Sequence, residues 1–316
     1  MAITRYLQIG EEANYGEEAS TYAETLDPET VDIDSEDDDK LIYEGMSGLD
    51  RLAQVGVYST SGSITLPVDD LASGWFWKWA LGGYNVTGDG STPYTHEFTP
   101  KRGSTMTSFS AKVGKDIFAH IFLGNVIESI ELEVENEWAL MTVNTLGAKD
   151  KHGTLEEQTF TEGNVFTAPM VTLDRDGSDV SPDVSSLSLS VETGANVEDS
   201  QGVGSRFPTK AFMGSMVVNL DLTLDFENTD QLTQFWGGDT EPSTDTISEF
   251  GYTLHIGENY DISFPRMIYT SSNQGVEGRD AIQQELTARA LFDPTNQEGP
   301  ILVSLTNDKA EYSTGA

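Results

Sequence analysis

The stretch SITLPVDDLASGWFWKWALGG, from Ser63 to Gly83, carries the signals that decide the fold. It begins with alternating polar and apolar residues, which is the period of a half-buried β-strand. Asp69 then precedes an aromatic run that ends on a glycine pair, and an acidic cap with a glycine stop predicts a short helix. The same signals recur in the same order in NLDLTLDFENTDQLTQFWGG, from Asn219 to Gly238. The sequence therefore predicts one strand–helix unit in each half of the chain.

Three further pairs of segments repeat along the chain in a shared order. They are YLQIGEEAN (Tyr6 to Asn14) with SLSVETGAN (Ser188 to Asn196), FSAKVGKD (Phe109 to Asp116) with YTLHIGEN (Tyr252 to Asn259), and the stretch from Ile127 to Leu146 with that from Ile282 to Asn307. Any one pair of alternating strands can match by chance, but a common order indicates a duplication. We therefore expect a mainly β protein of two related domains, residues 1–160 and 161–316, joined near a polar linker at 149–164.

The predicted domains differ most between their first two strands. In the first domain, residues 11–54 are acidic, rich in Gly, Ser and Thr, and include DIDSEDDDK from Asp32 to Lys40. The second domain has the shorter GANVEDSQGVGSRFPTKAFMG in this place. Loops longer than about 12 to 15 residues in compact domains are usually functional or disordered. We expect residues 11–54 to form a loop that reaches beyond its own domain.

Composition excludes several classes of protein. The 316 residues include 17 Lys and Arg against 53 Asp and Glu, a net charge of −36, and acidity is spread along the chain. This leaves no basic stripe for phosphates, so nucleic-acid binding is not expected. Such uniform acidity favours a salt-adapted, halophilic surface over an ordinary acidic protein. The absence of Cys excludes disulfides and thiolate zinc sites, and we expect a soluble protein with no cleaved leader and no membrane segment.

Candidate catalytic residues are few. The histidines are His96, His120, His152 and His255. HEFTP at His96 begins like a zinc-protease helix, but Pro100 stands where the second histidine must be. His120 and His255 lie in strand-like runs, His152 lies in the linker, and neither the glycine-rich stretches nor GMSG at Gly45 complete a known motif. We predict no catalytic residue, no cofactor-binding residue and no cofactor, so the protein is not expected to be an enzyme.

Two acidic clusters are candidates for a hard cation such as Ca²⁺, because that ion prefers carboxylate oxygens. They are DIDSEDDD at Asp32 and DRDGSD at Asp174, and neither completes an EF-hand loop. In so acidic a chain a solvated face is favoured over a metal site, and we predict no metal ligand. A carboxylate pair for glycoside hydrolysis cannot be recognised among 53 acidic residues, and an acidic hydrolase is the weakest functional hypothesis.

The helix WFWKWAL contains Trp75, Phe76, Trp77 and Trp79. Three tryptophans within five positions cannot all face one core, so part of the helix is expected to meet something outside its own domain. Two interpretations stay open. One is a helix sandwiched on both sides within the monomer, and the other is a contact between subunits.

With the repeat and the long loop in place, the chain resembles the tail tube, or major tail, proteins of long-tailed viruses. The resemblance rests on IGEEANYGEE, the stretch from Ser63 to Gly83, YTHEFTP followed by TSFSAKVGKD, LGNVIESIELEV and the closing VSLTN. Together these segments cover most of the chain. The acidity is typical of a virus of a halophilic host, and a haloarchaeon is the expected one.

The resemblance implies two tandem β-sandwich or half-barrel domains, each with a flanking helix, whose inner sheets join side by side into rings. A chain with two such domains closes a trimeric ring of pseudo-sixfold symmetry, with a hexamer as the alternative. Stacked rings form the tail tube, residues 11–54 contact the next ring, and viral DNA passes through the lumen without specific binding. The implied partners are the chain itself and the tape measure, tail terminator and distal tail proteins, with assembly in the host cytoplasm.

A second functional class stays open beside this resemblance. A halophilic β-sandwich adhesin or carbohydrate-binding module would use exposed aromatic side chains as stacking platforms for sugars. Trp138, Tyr84 and Tyr94 are the candidates.

Overall fold

The computed structural model describes residues 4–35, 40–88, 92–101, 105–135, 137–161, 163–197, 200–226, 229–275, 282–295 and 299–313. The elements of the first half are, in chain order, β1 (Arg5–Glu11), β2 (Glu24–Leu26), β3 (Thr30–Ser35), β4 (Lys40–Glu44), β5 (Asp50–Val55), β6 (Thr60–Pro67), α1 (Ala72–Leu81), β7 (Gly82–Thr87), β8 (Tyr94–Pro100), β9 (Phe109–Lys115), β10 (Ala119–Val134), β11 (Leu140–Gly147) and β12 (Lys149–Gly153).

The second half follows the same general plan. Its elements are β13 (Val171–Arg175), β14 (Ser178–Asp179), β15 (Val184–Glu192), β16 (Val217–Asp225), α2 (Asp230–Trp236), β17 (Phe250–Ile256), β18 (Tyr260–Gly275), β19 (Gln283–Ala290) and β20 (Leu302–Asn307), with short 3₁₀ turns at Ala168–Met170 and Ser181–Asp183. The predicted fold class is confirmed, because the described part of the chain is mainly β with one short α-helix in each half.

An antiparallel sheet of eight strands runs through both halves and is called the inner sheet below. Its strand order is β3, β6, β11, β10, β15, β16, β19 and β18. The central pairing of β10 with β15 crosses from the first half to the second. The two predicted domains are therefore joined through continuous sheet rather than only through the segment near residue 160.

The strands β10 and β18 are both 16 residues long, and each belongs to two sheets. Their first parts lie in outer sheets, of order β2, β1, β9, β10 and β12 in the first half and β7, β8, β20, β18, β17, β13 and β14 in the second. Register shifts at Ile127/Ser129 and Tyr269/Ser271 mark the passage to the inner sheet. Such bulges bend a strand and increase its twist.

Helix α1 is buried on all sides between the sheets. Asp69 accepts hydrogen bonds from the backbone N–H groups of Leu71 and Ala72 at 2.6 and 2.5 Å, and the helix ends at Gly82 with a φ of 76°, as the acidic cap and glycine pair predict. Its three tryptophans and Phe76 are fully buried. One apolar core, which surrounds them, extends through both halves.

Each buried indole N–H of α1 has a partner, as burial of a polar group requires. Trp75 donates to Glu24 Oε1 at 3.1 Å and Trp79 to Glu11 Oε2 at 3.0 Å, whereas Trp77 donates to the hydroxyl of Tyr260 in the second half. The interpretation of a helix sandwiched within the monomer is therefore confirmed, and that of an intersubunit contact through these tryptophans is wrong.

Two of the repeat matches need correction. SLSVETGAN lies in β15, which pairs with β10 and β16, whereas YLQIGEEAN lies in β1, which pairs with β9 and β2. The strand in the place of β1 is β13, which pairs with β17, and β15 takes the place of β3. Residues from Ile127 onward belong to β10, whose counterpart by length and neighbours is β18. Alternating strands look alike in sequence, and only their pairing distinguishes them.

The prediction of one long loop over residues 11–54 is also wrong. Residues of this range form β2, which pairs with β1, and β3, which pairs with β6. What projects from the body is the separate two-stranded sheet of β4 and β5, called the arm below. The acidic residues 36–39 lie outside the described residues.

Candidate assembly interface

The inner sheet ends in two open edges. Strand β3 pairs with β6 on one side, and the part of β18 from Tyr269 to Gly275 pairs with β19 on one side. Among the strand pairs of the described residues, none joins a further strand to β3 or to this part of β18, and the sheet does not close into a barrel. Unpaired edges expose rows of backbone N–H and C=O groups and are templates for pairing with another chain.

The junction between β10 and β15 demonstrates how two such edges combine. Six residue pairs join them, from Ser129 opposite Glu192 to Val134 opposite Leu187. On the core side Ile130, Leu132 and Val191 are fully buried. At the two open edges of the sheet, β18 is the strand that corresponds to β10, and β3 is the strand that corresponds to β15.

The other face of the inner sheet is polar and strongly acidic. Successive residues of a strand point to opposite faces, so the residues between the buried apolar positions share this face. They include Asp32, Asp34, Glu131, Glu133, Asp221, Asp225, Glu285 and one cation, Arg289. A shallow depression runs across this face over β10, β15, β16 and β19. The sheet therefore presents an acidic wall on one side and a packed core on the other.

Cross-strand hydrogen bonds connect neighbouring side chains on the polar face. Thr287 donates to Asp221 at 2.6 Å, and the Thr65 and Thr142 hydroxyls lie 3.1 Å apart. Asn144 donates to Ser129 at 2.8 Å. These contacts fix short side chains against the wall.

The arm exposes apolar side chains on both of its faces. Tyr43 lies directly opposite Leu52, and these two side chains and Leu41 are each at least 60% exposed. Ile42, Met46, Leu49 and Val55 are exposed as well. An isolated two-stranded sheet is at best marginally stable in water, and contiguous exposed apolar surface marks an interaction site.

Residues 3–290 match the family model for phage tail tube protein. The chain belongs to the phage tail tube protein family. No curated protein matches it. Membership makes this a structural protein of a virion tail that assembles with itself into a tube. The open edges and the arm are thus the surfaces of this tail tube protein to consider first for assembly.

The histidines of the tail tube protein have structural surroundings. His96 is buried, and its ring nitrogens share hydrogen bonds with Tyr84 at 3.0 Å and Asn307 at 3.1 Å. Burial lowers the pKa of His96 below its ordinary value. His120 Nε2 and Asp150 Oδ2 lie 2.6 Å apart, and His255 Nδ1 lies 2.6 Å from Asp261 Oδ1.

His152 differs from its expected place in a linker. It lies in β12, and its ring stacks on Phe118 with centroids 5.0 Å apart. The family indicates a structural role rather than an enzymatic one.

The acidic clusters of the tail tube protein do not converge where they are described. Asp179 accepts hydrogen bonds from the backbone N–H and the hydroxyl of Ser181. Asp174 Oδ2 lies 3.6 Å from His255 Nε2. Across the described ranges no group of three or more His, Asp or Glu side chains is arranged to hold a metal ion. Half of DIDSEDDD, residues 36–39, lies outside those ranges.

The aromatic residues proposed as sugar platforms are Tyr84 in β7, Tyr94 in β8 and Trp138 between β10 and β11. Tyr84 is half-buried, stacks on Phe98 at 5.5 Å and accepts a hydrogen bond from the backbone N–H of Tyr312. Trp138 is 46% exposed but forms an isolated bridge with Thr167. Among the described helices, none is long and apolar enough to cross a membrane.

Sequence reasoning missed the two open edges. Local periodicity identifies a strand but carries no information about which neighbour it lacks. The arm left a signal, because LIYEGMSGLDRL contains a turn-rich GMSG between two apolar runs.

Proposed function

We propose that the chain polymerises through the open edges of its inner sheet into rings, and that stacked rings form the conduit for viral genome delivery. One observation carries the proposal: the free edges of β18 and β3 stand in the places that β10 and β15 occupy in the internal junction. Pairing of β18 with β3 of a second copy would repeat that junction. Such a head-to-tail contact produces a closed ring when its rotation fits.

The internal junction also supplies a register. Superposing the pairing of β10 and β15 on the open edges, with the bulge of β18 matched to that of β10, places Asn273 opposite Asp34 of the next copy, and Gln274 opposite Ile33. Three copies, each with two related halves, give the pseudo-sixfold ring that we favour over a hexamer of chains. The two domains, residues 1–160 and 161–316, are in this proposal products of one duplication.

The acidic face of the inner sheet suits the lumen of such a ring. Carboxylates around a passing duplex repel its phosphates, so DNA slides through without specific binding. The core face and helices would lie outside the lumen. At a net charge of −36 the copies repel one another, and molar salt reduces the screening length to about 3 Å. Assembly should therefore need salt, in keeping with a haloarchaeal virus.

The arm is the proposed contact with the adjacent ring. A second copy stacked along the tube axis would bury the exposed apolar faces of the arm. The tape measure, tail terminator and distal tail proteins are the further partners in the virion tail, assembled in the host cytoplasm.

Negative-stain electron microscopy of the purified protein in molar KCl, and after dilution of the salt, tests the proposal. We expect rings or tubes with a central hole in molar KCl, dissociating on dilution. Compact single particles at every protein and salt concentration would contradict it.

A further inference from the structure

The segment between β15 and β16, residues 193–216, occupies the place in the second half that the arm-bearing segment occupies between β3 and β6. It does not project. Val197 and Ala211 pack with Met106 and Val126 of the first half in a small separate core. Phe212 forms isolated bridges with Thr105 and Asn196. The segment, called the brace below, is therefore folded down onto the first half, and its described residues form no strand pair.

The tip of the brace reaches the base of the arm. The backbone N–H of Tyr58 donates to the carbonyl oxygen of Arg206 at 2.9 Å, and Arg206 Nε donates to the carbonyl oxygen of Gly56 at 3.2 Å. The guanidinium lies 5.1 Å from the centre of the Tyr58 ring. Phe207 contacts the same ring edge-on at 5.8 Å and 74°.

The opposite end of Tyr58 is fixed to the outer sheet. Its hydroxyl donates to Oδ1 of Asp150 in β12, and the other carboxylate oxygen lies 2.6 Å from His120 Nε2 in β10. The base of the arm is thus held between the brace on one side and an outer sheet on the other. The planar guanidinium of Arg206 is suited to combining a contact with an aromatic ring and donation to a backbone carbonyl.

We propose that Arg206 and Tyr58 are positioning residues that set the angle at which the arm projects, so that it meets a second copy of the chain in the adjacent ring. The brace lies at the position in the second half that corresponds to the arm in the first half. It forms no second arm and instead supports the base of the first. Each chain therefore presents one arm, and a ring of three chains presents three. This inference rests on the proposed function. Two features carry it: the arm has no other strand beside it among the described residues, and its base has these specific contacts.

A spin label on the arm separates this inference from the proposed function. The chain has no Cys, so Ser47→Cys at the exposed arm tip accepts a single label. In dilute, unassembled protein we expect Arg206→Ala to increase the mobility of the label. In molar KCl we expect the same variant to form rings but to shorten tubes at least tenfold. Phe207→Ala is a second variant, expected to act in the same direction.

Lys210→Ala is the matched control, because Lys210 lies in the brace but contacts only the Phe212 ring, at 4.7 Å, among the contacts described for it. It should leave label mobility and tube length unchanged. Unchanged mobility in both Arg206→Ala and Phe207→Ala, or tubes of normal length, would overturn the inference. Absence of rings from the wild-type chain would instead count against the proposed function, and the mobility of the label would still decide whether the brace holds the arm.

Discussion

The ring of Tyr312 lies so close to Gly74 in α1 that a Cβ atom on residue 74 would be 2.2 Å from the tyrosine Cζ. Tyr312 is fully buried. Its hydroxyl donates to the carbonyl oxygen of Leu71 at 2.9 Å, and its own carbonyl oxygen accepts from Lys78 Nζ at 2.7 Å. The end of the second half is therefore fastened to the helix of the first, in addition to the strand pairing of β20 with β8.

We predict that Gly74→Ala destabilises the protein. Alanine is about 1 kcal/mol better than glycine within a helix, so a helix without this contact would gain stability. Here the added methyl group meets the Tyr312 ring, and overpacking of a core costs about 1 to 3 kcal/mol. Urea unfolding in molar KCl measures the difference.

The double variant Gly74→Ala with Tyr312→Ala separates the contact from the helix. With the ring removed, the same glycine substitution should be neutral or stabilising. Gly202→Ala is the control, because no atom beyond its own chain neighbours lies within 4 Å of its added Cβ. Equal effects of Gly74→Ala with and without Tyr312 would contradict this account of the contact.

Asp69 gives a pH-dependent prediction. Burial is the largest influence on this carboxyl and raises its pKa to about 6 from 3.8, although backbone N–H groups at the start of α1 oppose the shift. The folded protein therefore binds more protons than the unfolded chain between about pH 4 and 6, and this group makes the free energy of unfolding fall as pH rises through that window. Above pH 6 the contribution of Asp69 to the free energy of unfolding no longer changes with pH.

The variant Asp69→Asn retains an oxygen that can accept from Leu71 and Ala72 but does not titrate. The stability of the variant relative to the wild type should therefore increase by about 2 to 3 kcal/mol between pH 4 and pH 7. Unfolding curves at constant KCl measure it. If the two proteins have parallel pH profiles, Asp69 is not the titrating group.

The arm supplies a prediction about stacking. Tyr43→Ser combined with Leu52→Ser removes one apolar cross-strand pair that is exposed in the monomer. Because no core contact is lost, thermal unfolding should be nearly unchanged, whereas stacking into tubes should fail and leave single rings. Gln54→Ala, also on the exposed arm, is the control and should stack normally. Long tubes from the double serine variant would show that the arm does not carry the contact between rings.

The sequence predicted α1 well because its signals are local. The helix begins after Asp69, which accepts a backbone hydrogen bond, and ends at Gly82, which has a positive φ. Both ends are therefore determined within a few residues. Burial of Trp77 against Tyr260 was beyond sequence reasoning, because the partner lies in the other half of the chain. The match of β1 with β15 failed for a related reason: strand period is local, but strand neighbours are set by long-range pairing.

The candidate interface was only partly predictable. The segment 11–54 was expected to reach outward, and the arm does project, but β2 and β3 within it belong to the sheets. The loop-like composition of the segment hides strands whose stability comes from β1 and β6. The open edge of β18 could not be predicted from sequence, because an absent neighbour leaves no periodic signal.

Engineered cysteines test the central claim, that β18 of one copy pairs with β3 of the next. The wild-type chain has no Cys, so Asp34→Cys and Asn273→Cys introduce the only thiols, on residues that the proposed register places opposite each other on the lumen face. The two single variants mixed in molar KCl and oxidised should form covalent dimers, each alone should form none, and the double variant should form a ladder ending at a closed trimer. Tubes that are visible by electron microscopy but produce no covalent dimer in the mixture would contradict the account.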